Sequence, residues 1–211
     1  MIADNKVQSV LNRLHNDAQN DRLIMAELAS KAAGGPLTPT DFSGAYLPIG
    51  KEQGEDIRNW IVEHKCKHIV EFGTSFGIST IYMADAAKEI DGQLITTELL
   101  PSKVEIAKRN VAESGLSTVV EFRVGDAMSS LKDLNTEIDF LFLDGWKDLY
   151  LPLFQMLEPL LSSGALIYSD NMDMAGTKDY ADYILNRSET YSTELVHQGK
   201  GFLSKKLLIT N

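Results

Sequence analysis

The chain has 211 residues, 44% of them hydrophobic and 24% charged, with a formal net charge of −10. That length and apolar content suit one compact domain with a sizeable core. The acidic balance argues against broad binding to nucleic acid or anionic membranes. A single cysteine, Cys66, excludes an internal disulfide framework and suits a reducing compartment.

The first residues include Asp4 and lack an apolar signal core, and no membrane-length apolar run follows. The chain therefore reads as soluble and cytoplasmic, with no membrane partner. Across residues 1–33 apolar positions recur at threes and fours (Val7, Val10, Leu11, Leu14, then Leu23, Ile24, Leu28), which predicts helix. Gly34-Gly35-Pro36 stops it. Leu37 to Pro48 is rich in Thr, Pro and Gly and reads as an irregular connector. Lys51 to Lys65 is helical again, with Ile57, Trp60 and Ile61 on one face. Residues 1–65 thus form a helical cap or flank on a core of residues 66–211, within one domain.

The core opens on His68 to Ser79. A short apolar run ends in an acid, Glu71, and two glycines follow, Gly73 and Gly77, before a helical stretch from Ile78 to Ala87. Strand, glycine turn, helix is the first βα unit of a nucleotide-binding α/β domain. The turn lacks the Gly-Lys-Ser/Thr of a phosphate-binding loop and the third glycine of a dinucleotide fingerprint. An acid before a two-glycine loop better suits a ligand built of an amino acid and a nucleoside without phosphates. S-adenosylmethionine fits that description.

Gln93 to Thr97 reads as the second strand, closed by Glu98 near the roughly 20-residue offset at which an acid accepts ribose hydroxyls. Pro101 and Gly115 bracket the next helix. Val119 to Val124 is a third strand, closed by Gly125-Asp126-Ala127, where an acid can accept from an adenine amino group. Ile138 to Leu143 is an apolar strand ending at Asp144, with Trp146 and Lys147 just beyond. Leu149 to Leu161 reads as helix, and Ala165 to Tyr168 as a strand ending in Ser169, Asp170 and Asn171. Two successive strands thus deliver Asp144, Asp170 and Asn171 to the edge where open parallel sheets bind ligands. Two carboxylates and an amide oxygen form an all-oxygen set suited to a hard divalent ion such as Mg²⁺. Tyr191 to Val196 and Phe202 to Ile209 form a predicted hairpin around Gln198-Gly199-Lys200-Gly201. The histidines His15, His64, His68 and His197 are scattered and make no ligand cluster.

From about Leu47 to Tyr180 the chain resembles the catechol and caffeoyl-CoA type O-methyltransferases, class I enzymes that use S-adenosylmethionine. The resemblance is sharpest in Leu143-Asp144-Gly145-Trp146-Lys147-Asp148-Leu149-Tyr150-Leu151-Pro152 and in Ser169-Asp170-Asn171. It also covers Ile49 to Gly54, Glu71 to Ser79, and Glu98. It implies a Rossmann-like α/β fold, a mostly parallel seven-stranded sheet with a C-terminal antiparallel hairpin and extra N-terminal helices. By resemblance, Asp144, Asp170 and Asn171 hold Mg²⁺ and Lys147 is the general base. Ile49, Glu71, Gly73, Ser75, Ser79, Glu98, Asp126, Ala127, Asp144 and Trp146 line the cofactor site, with Ile49 at its mouth. The chain departs from the family in two places. Gly145 stands where the catechol enzyme has histidine, and no equivalent is found for that enzyme's last-loop glutamate, since Glu194 falls in a predicted strand.

The chemistry implied is methyl transfer to a hydroxyl of a small catechol-like acceptor. A phenol with a pKa of ~10 is barely ionised at neutral pH, and a divalent ion on its oxygen lowers that value. Two other readings stay open. A hydroxylated tRNA base as acceptor requires a basic surface, for which Lys200, Lys205 and Lys206 are the candidates. A non-catalytic S-adenosylmethionine-binding module is opposed by the retention of Lys147 beside Asp144, Asp170 and Asn171. The resemblance allows a homodimer with the N-terminal helices as its interface.

Overall fold

A computed structural model of the chain describes residues 2–207. The helical period of the first 33 residues is split in two. Helix α1 spans Asn5–Asp17, a 3-10 turn follows at Ala18–Asn20, and α2 spans Asp21–Ala32. The split has a packing cause. α1 buries an apolar stripe of Val7, Val10, Leu11 and Leu14, whereas α2 buries only Leu28 and the carboxylate of Asp21. A polar anchor sits where the apolar period would have continued.

Helix α3, Lys51–His64, ends with Lys65 in the left-handed conformation at φ 54°. Strand β1, His68–Phe72, leads through the glycine turn into α4, Ile78–Glu89. Then come β2 (Gln93–Glu98), α5 (Pro101–Glu113), β3 (Val120–Val124), the short α6 (Ala127–Ser130) and β4 (Ile138–Leu143). The second half holds α7 (Tyr150–Leu157), β5 (Leu161–Ser169), α8 (Lys178–Leu185), β6 (Tyr191–Val196) and β7 (Gly201–Lys206). Neither α6 nor α8 is signalled by the sequence, and β5 begins four residues before the predicted Ala165. Leu208 and Ile209, at the end of the predicted hairpin, lie outside the described residues.

These strands form one seven-stranded sheet in the order β3-β2-β1-β4-β5-β7-β6. β1 to β5 pair in parallel, and β7 pairs antiparallel with both β5 and β6. The last strand is therefore inserted beside β5. Alternate residues of the central strands face opposite layers, as the period of two requires. Ile69, Phe140, Phe142 and Leu166 pack with Ile57, Ile61 and Ile81 on one side. Val70, Leu141, Leu143 and Ile167 pack with Leu153, Phe154, Leu157 and Tyr180 on the other. Each such fully buried side chain contributes on the order of 2 kcal/mol. Among the described residues no helix is long and apolar enough to cross a membrane.

The strand order reverses between β1 and β4, the point where open α/β sheets bind ligands. The register there aligns Phe72 with Leu143, and Leu143 with Ser169 on the next strand. Gly73, Asp144 and Asp170 therefore leave three adjacent strand ends side by side.

Candidate active site

The turn after β1 is shaped by crowding. Gly73 has φ 110°, and a Cβ there would lie 2.6 Å from the backbone oxygen of Asp144. Only glycine lets the turn lie against the Asp144 backbone. Its N–H and that of Thr74 both donate to the Thr97 carbonyl of β2 at 3.1 and 3.0 Å, while the Asp144 N–H donates to the Phe72 carbonyl at 2.9 Å. The same crowding explains Gly145, where a Cβ would meet the Phe72 ring at 2.4 Å. The departure from the family's histidine thus has a steric counterpart in this chain.

A cavity of about 750 Å³ opens above these strand ends. Its lining includes Ile49, Gly73, Ser75, Ser79, Glu98, Asp126, Ala127, Asp144, Trp146, Lys147, Asp170 and Asn171. The structure brings these predicted residues together, and Glu71 is the exception. Its side chain is fully buried behind the wall, accepting hydrogen bonds from the hydroxyls of Ser79, Thr80 and Thr96, the last two at 2.6 Å. Burial raises its pKa to about 7 despite those three donors. Glu71 reaches the cavity only through Ser79. A smaller cavity of about 300 Å³ lies at the opposite, N-terminal end of the strands, around His68, Gln93 and Ile138, away from these acids.

At the cofactor end, Glu98 accepts from the Ser75 N–H at 2.9 Å and the Leu100 N–H at 3.0 Å, one on each oxygen. Each carboxylate oxygen keeps a lone pair for a vicinal diol. Asp126 caps α6 by accepting from the Ser129 N–H at 3.0 Å, so its carboxylate is held at the cavity rim.

At the other end, Lys147 Nζ lies 3.0 Å from Asp144 Oδ1 and 3.0 Å from the Tyr150 hydroxyl. Tyr150 is fully buried, and its hydroxyl lies within donating distance of the Leu143 and Asp170 carbonyls, at 2.8 and 3.1 Å. Burial first, and the charge of Asp170 after it, push Asp144 up to about 7, against the pull of Lys147. Two acids beside each other, Asp170 buried and Asp144 partly buried, with an amide at the next position, make a hard all-oxygen donor set that a divalent cation would neutralise. The residues fit such an ion. Because the third donor is Asn171, no trio of His, Cys, Asp or Glu gathers among the described residues.

Sequence reasoning missed four residues of this site. Tyr150 falls within the motif that carries the resemblance, and its place three residues after Lys147 on a helical turn was the available signal. Asp21, Tyr46 and Lys103 also line the cavity, and their apposition comes from tertiary packing alone.

Sheet order, terminal hairpin and a cavity at the β1/β4 switch point place the molecule among the Rossmann-like methyltransferases. A model of the O-methyltransferase family matches residues 16–190. The catechol O-methyltransferase of Niastella koreensis is 32% identical over 158 residues, covering 73% of this chain and 67% of that one. The catechol O-methyltransferase of Bos taurus is 27% identical over 197 residues, covering 86% and 72%. Among solved structures, an O-methyltransferase of Streptomyces achromogenes involved in tomaymycin synthesis, bound to S-adenosylmethionine, aligns with a TM-score of 0.65 at 25% identity over 76% of this chain and 82% of that one. The O-methyltransferase of Bacillus cereus, bound to S-adenosylhomocysteine, shares the fold at a TM-score of 0.69 and 21% identity, covering 95% and 91%. The chain belongs to the O-methyltransferase family and is an S-adenosylmethionine-dependent enzyme.

Proposed function

We propose that this enzyme methylates one hydroxyl of a small vicinal-dihydroxy aromatic acceptor, with Lys147 as general base and a divalent ion held by Asp144, Asp170 and Asn171. The observation that carries this reading is the placement of Lys147 Nζ, 3.0 Å from both Asp144 and Tyr150, in the lining of the cofactor cavity. The names of the relatives from Niastella koreensis and Bos taurus support a catechol-type acceptor.

The residues divide the work. Glu98 accepts from the cofactor's ribose, and Ser79, held by Glu71, orients its amino-acid end. Trp146, on the cofactor side, and Met174 add apolar surface to the cavity wall. Lys147 takes the proton from the acceptor hydroxyl. The oxygen–carbon bond forms as the sulfur–carbon bond breaks, so the sulfonium charge is lost and S-adenosylhomocysteine leaves. A bound divalent ion supplies the Lewis acidity that lowers the hydroxyl's pKa from about 10. Alignment of donor and acceptor within one cavity supplies much of the remaining acceleration.

The test is transfer of labelled methyl from S-adenosylmethionine to a panel of catechols, with Mg²⁺ and with EDTA. Transfer that disappears with EDTA and returns with Mg²⁺ is expected. Transfer indifferent to EDTA would overturn the metal assignment, and no transfer to any catechol would overturn the acceptor class.

A further inference from the structure

Lys103 is a buried lysine, only 3% exposed, on α5, and no part of the chemistry described above uses it. Its Nζ donates to the Ala45 carbonyl at 2.9 Å and to Ser75 Oγ at 3.1 Å, and it sits 5.2 Å from the centre of the Phe76 ring. Ala45 belongs to the connector between α2 and α3, and Ser75 to the glycine turn that lines the cavity. The lysine therefore spans the cap and the core.

Four further contacts fix the same connector. The buried carboxylate of Asp21 accepts from the N–H groups of Tyr46 at 3.0 Å and Leu47 at 2.8 Å. Ser75 Oγ donates to the Tyr46 carbonyl at 2.7 Å, and the Tyr46 ring meets Phe76 edge-on at 4.6 Å. Leu47 is held at φ 48°, a left-handed backbone that a leucine keeps only when its surroundings impose it. Tyr46, Leu47 and Ile49 all line the cavity. Lys103 also lies close enough to Glu98 and Asp21 for both to favour its charge against burial, which lowers its pKa.

We propose that Lys103 and Asp21 are positioning residues that anchor the cap connector over the cofactor cavity, and so set the enzyme's affinity for S-adenosylmethionine and S-adenosylhomocysteine rather than its turnover. Each anchors a different stretch of backbone, Lys103 at residue 45 and Asp21 at residues 46 and 47. Loss of either leaves the connector free to lift, and bound cofactor must then order it again. That ordering is charged to binding. Once cofactor saturates the site, the connector is seated and Lys147 and Asp144 are undisturbed. This inference rests on the cofactor site alone and needs neither the acceptor class nor the metal.

The experiment measures S-adenosylhomocysteine binding by calorimetry on the intact wild type, Lys103→Met, Asp21→Asn and the double variant, with amide hydrogen exchange of residues 45–47. Both single variants are expected to raise Kd about tenfold, as loss of a charge-assisted hydrogen bond implies. Exchange at Tyr46 and Leu47 should quicken, kcat at saturating cofactor should stay near wild type, and the double variant should lose less than the product of the singles. Folded variants with wild-type Kd overturn the proposal. So does a loss of affinity in Lys103→Met with exchange unchanged, which makes the lysine a direct ligand. If Lys103→Met does not fold, Lys103→Gln and Asp21→Asn are measured in the same way, and the same results support or overturn the proposal. A wild type that binds S-adenosylhomocysteine but methylates no catechol removes the proposed acceptor and leaves this inference standing.

Discussion

Lys147 and Asp144 face each other at 3.0 Å, Nζ to Oδ1, across one turn of chain, with only 16% and 14% of their side chains exposed. The pair is not a surface ion pair of small consequence. Asp144 leaves the β4 strand end and Lys147 opens the turn that leads into α7. Both side chains line the cavity, so the lysine nitrogen and the Asp144 carboxylate face it together.

Replacing Lys147 with Ala removes the proposed proton acceptor without disturbing Glu98 or the glycine turn. The kcat should fall by about 10²–10⁴-fold, while Kd for S-adenosylhomocysteine stays near wild type. Steady-state kinetics beside calorimetry checks this, and a matching loss of cofactor affinity would show that Lys147 acts in binding instead.

Tyr150→Phe deletes the hydroxyl that accepts from Lys147 and places its one proton within reach of the Leu143 and Asp170 carbonyls. The Leu143 carbonyl keeps the Asp170 N–H, so at most one buried acceptor is left unpaired, at a cost of about 1–3 kcal/mol, and a lower melting temperature is expected. The looser lysine should also reduce kcat by about tenfold, since orientation of the base is part of its efficiency. An unchanged kcat in a destabilised variant would confine Tyr150 to the fold.

Glu98→Gln keeps the shape but loses a charge and one of the two acceptor oxygens that Ser75 and Leu100 engage and that the proposed ribose contact uses. KM for S-adenosylmethionine should rise by roughly tenfold or more, with kcat little changed, because a uniform binding contact is lost. Initial rates at varied cofactor, with acceptor saturating, read this directly.

Glu71 supplies a pH test of the buried wall. Its folded pKa of about 7 lies above the ordinary 4.5, so the folded state binds the proton more tightly than the unfolded chain. The residue's contribution to stability is thus greatest below pH 4.5 and is lost as pH rises through 7. The upper bound of that change is about 3 kcal/mol. Glu71→Gln should melt closer to, or above, the wild type at pH 8 and fall behind it as the buffer moves toward pH 5. Parallel melting curves at all pH values would mean that Glu71 stays ionised in the folded protein.

Much of the fold was legible in the sequence, because its signals are local. The apolar runs ending at Glu71, Glu98, Asp144 and Asp170 marked strands, and the glycines at 73 and 77 marked the turn before α4. The places where the reading fell short share one cause. The split between α1 and α2 depends on Asp21, which is buried because the Tyr46 and Leu47 N–H groups come to meet it from 25 residues away. Glu71, read as a cofactor contact, turns away from the cavity because Ser79, Thr80 and Thr96 converge on it from two other elements.

The sequence by itself determined the strand ends and the acids and lysine that stand on them, and so the kind of chemistry the site can do. Strand periodicity and turn residues act over a few positions, so one chain is enough to read them. Only the tertiary structure decided the sheet order with β7 beside β5, the steric demand for Gly145 against Phe72, and the bridging of cap to cofactor cavity by Lys103. Those depend on which buried surfaces find each other. Burial energy is proportional to area and carries no record of sequence separation, so nothing local could announce them.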